Sequence, residues 1–448
     1  MRGPARAPGL GLGALRVQQL EGAELAGCQR VPASGAEGLV LQRDGHRGQT
    51  LLSAGLRWRS DDVSYLRSES GTAALAVVGE LELTEATRIA DVAAARARFG
   101  ERAPVLVETA LLRRRAPDKL GELGDVSNWL FTDEALQQAT AAPVALHRAG
   151  RLARAGAPVH DATCSIGTEM AALRGAGIRA VGSDIDAVRL AMARHNLGPA
   201  ADLCRADALR PITRDAVVVA DPGRRHGGRR RFHVEDYQPG LGALLDTYRD
   251  RDFAVKCSPG IDFDQVRRLG FGGEIEVTSY RGSVREACLW SAGLSGPGVR
   301  RRASVLDRGE QITDTEPDEC GVRPAGRWIV DPDGAVVRAG LVRHYGARHG
   351  LWQLDPDIAY LSGDRLPPGV RGFEVLEQVA FDERRLRRSL AALDCGALEI
   401  LVRGVGVDPD ALRRRLRPRG DRPLSVVITR IGSGAAGHAT AFVCRASR

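Results

Sequence analysis

The chain has 448 residues, 43% of them hydrophobic and 27% charged, with a formal net charge of +8 and eight cysteines. That length predicts two to four domains at roughly 100–200 residues each, and no apolar run reaches the roughly 18–20 residues of a membrane span. The cysteines form no C-x-x-C pair and no Cys/His cluster of zinc spacing, which argues against a disulfide framework and a metal site and predicts a reduced, cytoplasmic setting. Only Lys119 and Lys256 among the 64 basic residues are lysine. With so much Ala and Gly beside it, this arginine excess reads equally well as drift in a GC-rich genome and as charge aimed at a polyanion.

Residues 1–60 begin like a signal peptide but lack its apolar segment. They show no periodicity, and we expect a poorly ordered extension or a start codon placed too far upstream. Residues 61–150 read as a helical accessory domain. A capped, Ala-rich helix follows Tyr65, and Thr84 is the expected N-cap of a helix running to Phe99. Val105–Arg115 and Asp133–Arg154 read as further helices. Trp129 and Phe131 precede a helix start that Thr132 or Asp133 caps. We read them first as a hydrophobic staple against the next domain, and second as lining for a ligand mouth.

Residues 151–310 alternate strand and helix. Strands are expected near 158–162, 179–183, 202–205, 216–220 and 252–257, and helices near 168–175, 187–196, 238–249 and 262–269. A hairpin follows at 273–290, and one more strand at Val299–Leu306. This is an α/β, doubly wound parallel sheet ending in an antiparallel hairpin. Residues 311–448 read as a small α+β domain. Asp333-Gly334 reads as a turn, strands are expected at 373–377, 398–403 and 424–430, and Asp408-Pro409 opens a helix at 408–417.

The chemistry concentrates in 159–231. Asp161, Asp184 and Asp207 end successive strands, which puts three carboxylates at the edge where α/β sheets bind ligands. The loop Asp161-Ala-Thr163-Cys-Ser165-Ile-Gly167-Thr168 leads into a helix whose free N–H groups face that edge. It lacks the glycine spacing of a dinucleotide site and the lysine of a P-loop, and Ser165 stands where a glycine is usual. Asp184 sits where a carboxylate takes ribose hydroxyls, Ile185 follows it, and Asp207-Ala208 falls where an adenine amino group is met. An acidic pocket of this kind suits an adenosine ligand with a cationic remainder, and S-adenosylmethionine fits better than a pyrophosphate. Asp221-Pro222 ends the fourth strand, with Asp221 as the group that orients a methyl acceptor and Pro222 fixing the backbone. Arg224, Arg225, Arg229, Arg230 and Arg231 follow as a phosphate-binding lip. Lys256 ends the fifth strand and faces the same crevice. His160 is expected to pack beside the sheet.

On these residues, 158–306 resembles the class I S-adenosylmethionine-dependent methyltransferases, a Rossmann-like fold. The wider stretch 61–448 resembles actinobacterial methyltransferases with a THUMP-like C-terminal domain, through Leu130-Phe-Thr, the 161–168 loop, Ser-Asp-Ile-Asp at 183–186, the loop after Asp221-Pro222, Ala-Val-Lys-Cys at 254–257, Arg285-Glu-Ala, Tyr360-Leu-Ser and Glu399-Ile-Leu-Val-Arg. The resemblance implies a class I methyltransferase that uses S-adenosylmethionine and binds RNA, tRNA or rRNA, because THUMP domains proper bind RNA. It implies that Asp161, Thr163, Ser165, Gly167, Thr168, Asp184, Ile185, Asp207 and Ala208 hold the cofactor. Base methyltransferases of this fold carry a proline and then an aromatic after Asp-Pro; here Gly223 and Arg224 fill those places, and an arginine plane also stacks on bases. A small-molecule or protein methyltransferase and a non-catalytic binding module are the competing readings.

Overall fold

Six helices open the part of the chain described by the computed structural model, which covers residues 56–224, 234–432 and 437–447. They are α1 (Ser60–Leu66), α2 (Glu69–Gly79), α3 (Arg88–Phe99), α4 (Ala103–Leu120), α5 (Asp133–Gln138) and α6 (Ala142–Ala153). Ser68 caps α2 by accepting the Gly71 N–H, and Thr132 caps α5 by accepting that of Ala135. Thr84 Oγ1 accepts the Thr87 N–H at 3.2 Å, the bond expected of a cap, but it closes a turn over 85–87 and α3 itself begins at Arg88. The single expected helix 133–154 is two helices. Pro143 lacks the N–H that would continue the ladder, and Ala139 and Ala141 are extended.

Trp129 and Phe131 are buried in one apolar cluster with Ile166 and Met192, so they act as the staple. Between them, the Leu130 backbone is tied to the Asn196 side chain at 2.7 and 3.0 Å, and Asn196 also donates to the Ile166 carbonyl at 3.0 Å.

The next elements alternate: β1 (Val159–Asp161), α7 (Thr168–Gly175), β2 (Ala180–Asp184), α8 (Ala187–Leu197), β3 (Asp202–Arg205), β4 (Val217–Ala220), the short pair β5 (Gly223–Arg224) and β6 (Tyr237–Gln238), α9 (Leu241–Thr247), β7 (Phe253–Cys257), α10 (Phe263–Arg268), β8 (Glu274–Tyr280), β9 (Ser283–Trp290), β10 (Arg301–Val305) and β11 (Glu310–Thr313). They form a nine-stranded sheet in the order β11-β10-β8-β9-β7-β4-β1-β2-β3. β1 lies parallel between β2 and β4, with Val159 opposite both Ala180 and Val217. The order therefore reverses beside β1, and a crevice opens at the carboxyl ends there. The helix expected over 238–249 is shorter, because Tyr237 and Gln238 pair as a strand with Gly223 and Arg224.

Two carboxylates sit inside this sheet. Glu274 and Glu276 on β8 are buried, and Arg151 of α6 bonds both, at 2.6 and 2.8 Å. Trp290 Nε1 and Ser304 Oγ also donate to Glu276, which adjoins His147. Burial opposes ionisation of Glu276, but His147, Arg151 and Ser304 outweigh it and hold its pKa well below the usual range.

The remaining elements are β12 (Trp328–Val330), α11 (Gly334–Arg338), α12 (Val342–His349), β13 (Trp352–Gln353), β14 (Leu361–Gly363), β15 (Gly372–Ala380), α13 (Glu383–Ala392), β16 (Cys395–Arg403), α14 (Pro409–Leu416), β17 (Arg422–Ile431) and β18 (His438–Ala446). They build a second sheet, ordered β13-β14-β12-β15-β18-β17-β16. β16 and β17 are parallel, joined through α14. Alternation along β17 puts Val426 and Ile428 under α13 and α14, and Val427 on the opposite face with Phe442. Asp333-Gly334 is not a turn: Asp333 Oδ1 accepts the Ala335 N–H at 2.8 Å and caps α11. No helix among the described residues is long and apolar enough to cross a membrane.

Replacing Arg151 with Leu leaves Glu274 and Glu276 short of a buried cation. Chemical denaturation should show a loss of about 3–5 kcal/mol.

Candidate active site

A cavity of about 770 Å³ lies at the carboxyl ends of β1, β2, β4 and β7. The α5–α6 junction closes one side of it with Gln138, Ala139 and Thr140. The helix break at 139–141, just ahead of Pro143, therefore places the chain from the N-terminal helices into the site.

Asp161 ends β1 and is only 2% exposed. Its Oδ1 accepts the Thr163 N–H at 3.2 Å, whereas Oδ2 is buried with no hydrogen-bond partner among the described residues. Burial, and next the Glu169 carboxylate, push its pKa well above the usual Asp range; the Thr163 N–H opposes this, and Asp184 and Asp221 add to it.

Asp184 ends β2. Its Oδ2 accepts the Ser165 N–H and its Oδ1 the Asp186 N–H, both at 2.8 Å. Burial raises its pKa, and those two N–H groups oppose the rise. Ile185 beside it is 63% exposed, an apolar platform at the cavity edge. Asp207 Oδ1 accepts the Leu209 N–H at 2.9 Å, and the Ala208 carbonyl accepts the Tyr248 hydroxyl at 2.6 Å.

The loop between β1 and α7 holds a special backbone. Gly167 has φ +91, and a Cβ there would lie 2.7 Å from Leu197 Cδ1. Ser165, at the position where a glycine is usual, has φ +47, so it keeps the left-handed conformation that glycine supplies freely. Its N–H bond to Asp184 holds it there. Thr168 Oγ1 is buried with no hydrogen-bond partner among the described residues and lines the cavity.

On the far side, Thr163 Oγ1 accepts the Asp221 N–H at 2.7 Å, tying the first loop to the end of β4. The Asp221 side chain is 46% exposed and pairs with Lys256 Nζ at 2.5 Å. Burial alone lowers the Lys256 pKa; Asp221 and then Glu286 outweigh it and raise the pKa. Pro222 is buried, and the Gly223-Arg224 backbone pairs with Tyr237-Gln238. Arg225, Arg229, Arg230 and Arg231 lie outside the described residues. His160 Nε2 bonds Ser183 Oγ at 2.9 Å inside the sheet, and burial lowers its pKa to about 4, so it packs as expected.

Three residues escaped the sequence reading. Arg148 of α6 is buried, bonds both oxygens of Glu169 at 2.8 and 2.9 Å, and also bonds Glu286 of β9. Arg148 and Glu169 line the cavity. The one signal available was position: Glu169 follows the cofactor loop, and Glu286 interrupts an apolar strand. Among the described residues no cluster of three or more His, Cys, Asp or Glu side chains is arranged to hold a metal ion.

Two sequences from strains of Mycobacterium tuberculosis, each named an S-adenosylmethionine-dependent methyltransferase, are 78% identical to this chain over 359 residues. The match covers 79% of this chain and 100% of theirs. The chain belongs to the S-adenosylmethionine-dependent methyltransferases. A crystal structure from Porphyromonas gingivalis, provisionally named a methyltransferase, shares the fold of this methyltransferase with a TM-score of 0.64 at 18% identity, over 84% of this chain and 99% of the other. Within the methyltransferase, a THUMP domain-like family model matches residues 370–446, and a model of a domain of unknown function matches 59–116.

The cavity of the methyltransferase suits its cofactor on its own chemistry. An orphaned carboxyl oxygen at Asp161, an orphaned hydroxyl at Thr168 and an exposed Ile185 beside an oriented carboxylate match an ammonium, a polar amino-acid end and an adenosine.

Gly167→Ala forces a methyl group onto Leu197 at a left-handed position, so stability should fall by about 1–3 kcal/mol in a denaturant titration. Asp184→Ala should weaken S-adenosylmethionine binding by roughly 10-fold or more in calorimetry, the scale of a lost hydrogen bond to a charged group.

Proposed function

We propose that this methyltransferase acts on RNA, with the cofactor held in the 161–208 cavity and the nucleic acid gripped partly by the C-terminal domain. S-adenosylmethionine supplies a methyl group activated by a sulfonium. Asp184 takes the ribose hydroxyls, Ile185 and Asp207-Ala208 border the purine, and Asp161, Thr163, Ser165, Gly167 and Thr168 surround the methionine end. Asp221 accepts a hydrogen bond from the acceptor group, with Lys256 fixing its carboxylate and Pro222 its backbone. Arg224, Arg225 and Arg229–Arg231, which follow Asp221 in the sequence, are the arginines assigned to phosphates in this reading.

The observation that carries the RNA reading is a second cleft, of about 1070 Å³, between α13 and α14. It falls within the THUMP-like stretch and is lined by Arg387, Arg414, Arg415, Arg417 and Arg419. Two of these are spent internally. Arg415 pairs with Glu383 at 2.7 Å, and Arg387 donates to the Arg415 carbonyl at 2.8 Å. Arg414, Arg417 and Arg419 are exposed and make no ion pair among the described residues. Five arginines at one cleft against the carboxylates Glu383 and Asp394 leave a positive excess that raises the local potential for a phosphodiester chain, where scattered drift would distribute the arginines.

The test is transfer of labelled methyl groups from S-adenosylmethionine to total RNA, total protein and small-molecule extract, followed by nucleoside mass spectrometry. Label in a modified RNA nucleoside supports the reading; label confined to protein or small molecules overturns it. The triple variant Arg414→Ala, Arg417→Ala, Arg419→Ala should bind single-stranded RNA more weakly. The slope of log affinity against log salt should shrink by roughly 2, about 0.7 for each phosphate that an arginine no longer neutralises.

A further inference from the structure

The cavity carries an imbalance of charge. Among the described residues, Asp161, Glu169, Asp184, Asp186, Asp207 and Asp221 line it against three cations, Arg148, Arg189 and Lys256. Each cation is already engaged. Arg148 of α6 serves Glu169 of α7 and Glu286 of β9, Arg189 of α8 pairs with Glu134 at 2.8 Å, and Lys256 of β7 pairs with Asp221 beyond β4. Asp184 of β2 is steadied by two backbone N–H groups. Asp161 Oδ2 is buried with no donor among the described residues, and the carboxyl group's one bond there is the 3.2 Å contact from the Thr163 N–H. A buried carboxylate facing like charges without a cation is unfavourable, and the group relieves this by keeping its proton. The raised pKa of Asp161 agrees with that geometry.

We propose that cofactor uptake is a proton exchange at Asp161: its carboxyl group is neutral in the cofactor-free protein and loses its proton to solvent when the α-ammonium of S-adenosylmethionine arrives beside it. The O–H bond of the carboxyl breaks, the proton passes to water or buffer, and the carboxylate left behind pairs with the incoming cation. The new carboxylate and the incoming ammonium neutralise each other one for one. This inference rests on the assignment of the cavity to the cofactor. The same linkage sets the sign of the stability profile. The folded chain holds this proton more tightly than the unfolded one, so the cofactor-free protein loses stability as pH rises from the ordinary Asp range towards the raised value, and Asp161→Asn removes that part of the slope.

The test is calorimetric titration of the full chain with S-adenosylmethionine, in buffers of low and high ionisation enthalpy, between about pH 6 and 7. An α-amino group titrates near about 7.7–8.0, so the ligand arrives charged and any released proton comes from the protein. Wild type should release up to about one proton per cofactor bound. Asp161→Asn should release none, and neither should 5′-methylthioadenosine on wild type, because it carries no ammonium. The comparison of the two ligands stands even if Asp161→Asn folds poorly. Heats that do not depend on buffer, or equal proton release with both ligands, overturn the proposal. If Asp184→Ala abolishes binding while wild type releases no proton, only the exchange fails. If Asp184→Ala binds like wild type, the cavity assignment falls and the exchange falls with it.

Discussion

Arg148 holds the site in one geometry. Its guanidinium is buried, and its donors are divided between Glu169 at the start of α7 and Glu286 on β9. The helix that supplies it comes from the N-terminal helical region, Glu169 from the first turn of α7, and Glu286 from the hairpin of β8 and β9. A planar fork fixes two carboxylates at set angles in a way that a point charge does not. Any displacement of α6 against the sheet therefore exposes at least one buried charge, at a cost of several kcal/mol. The N-terminal helices are fixed to the sheet for this reason, and the α5–α6 junction forms a wall of the cavity.

The same economy of charge runs through the hairpin. Arg151, one turn further along α6, does for Glu274 and Glu276 what Arg148 does for Glu169 and Glu286. Among the described residues each buried cation is matched so closely that none is left for Asp161. The cavity is left short of positive charge where a sulfonium and an ammonium would supply it. Ser165 belongs to the same arrangement. Its left-handed backbone is held by the N–H bond to Asp184, so the loop keeps the shape that a glycine would give and the Asp184 carboxylate is aimed in return.

The sheet is readable from sequence because its strands are short apolar runs ending in acids, and this period is local. The strand-end carboxylates Asp161, Asp184 and Asp207, together with Asp221 and Lys256, do come together at one cavity. What is not readable is long-range. Arg148 lies 138 positions from Glu286, and an arginine in an arginine-rich helix carries no mark of burial. The break in 133–154 is hidden because the apolar spacing on either side of Pro143 continues the helical period across it. Asp333-Gly334 misleads because the same dipeptide serves as a turn and as a helix cap, and only the following residues decide. Trp129 and Phe131, by contrast, pack as their sequence context implies, since an aromatic pair ahead of a capped helix has few other places to go.

The central claim is that the crevice beside β1 holds the methyl donor. A crystal structure of the protein grown with S-adenosylmethionine or S-adenosylhomocysteine tests it most directly. Ligand density is expected between the 161–168 loop and the α5–α6 junction. The ribose hydroxyls should lie within about 2.7–3.2 Å of the Asp184 carboxylate, with the purine against Ile185. Density elsewhere, or a ligand that leaves Asp161 and Asp184 untouched, would contradict it.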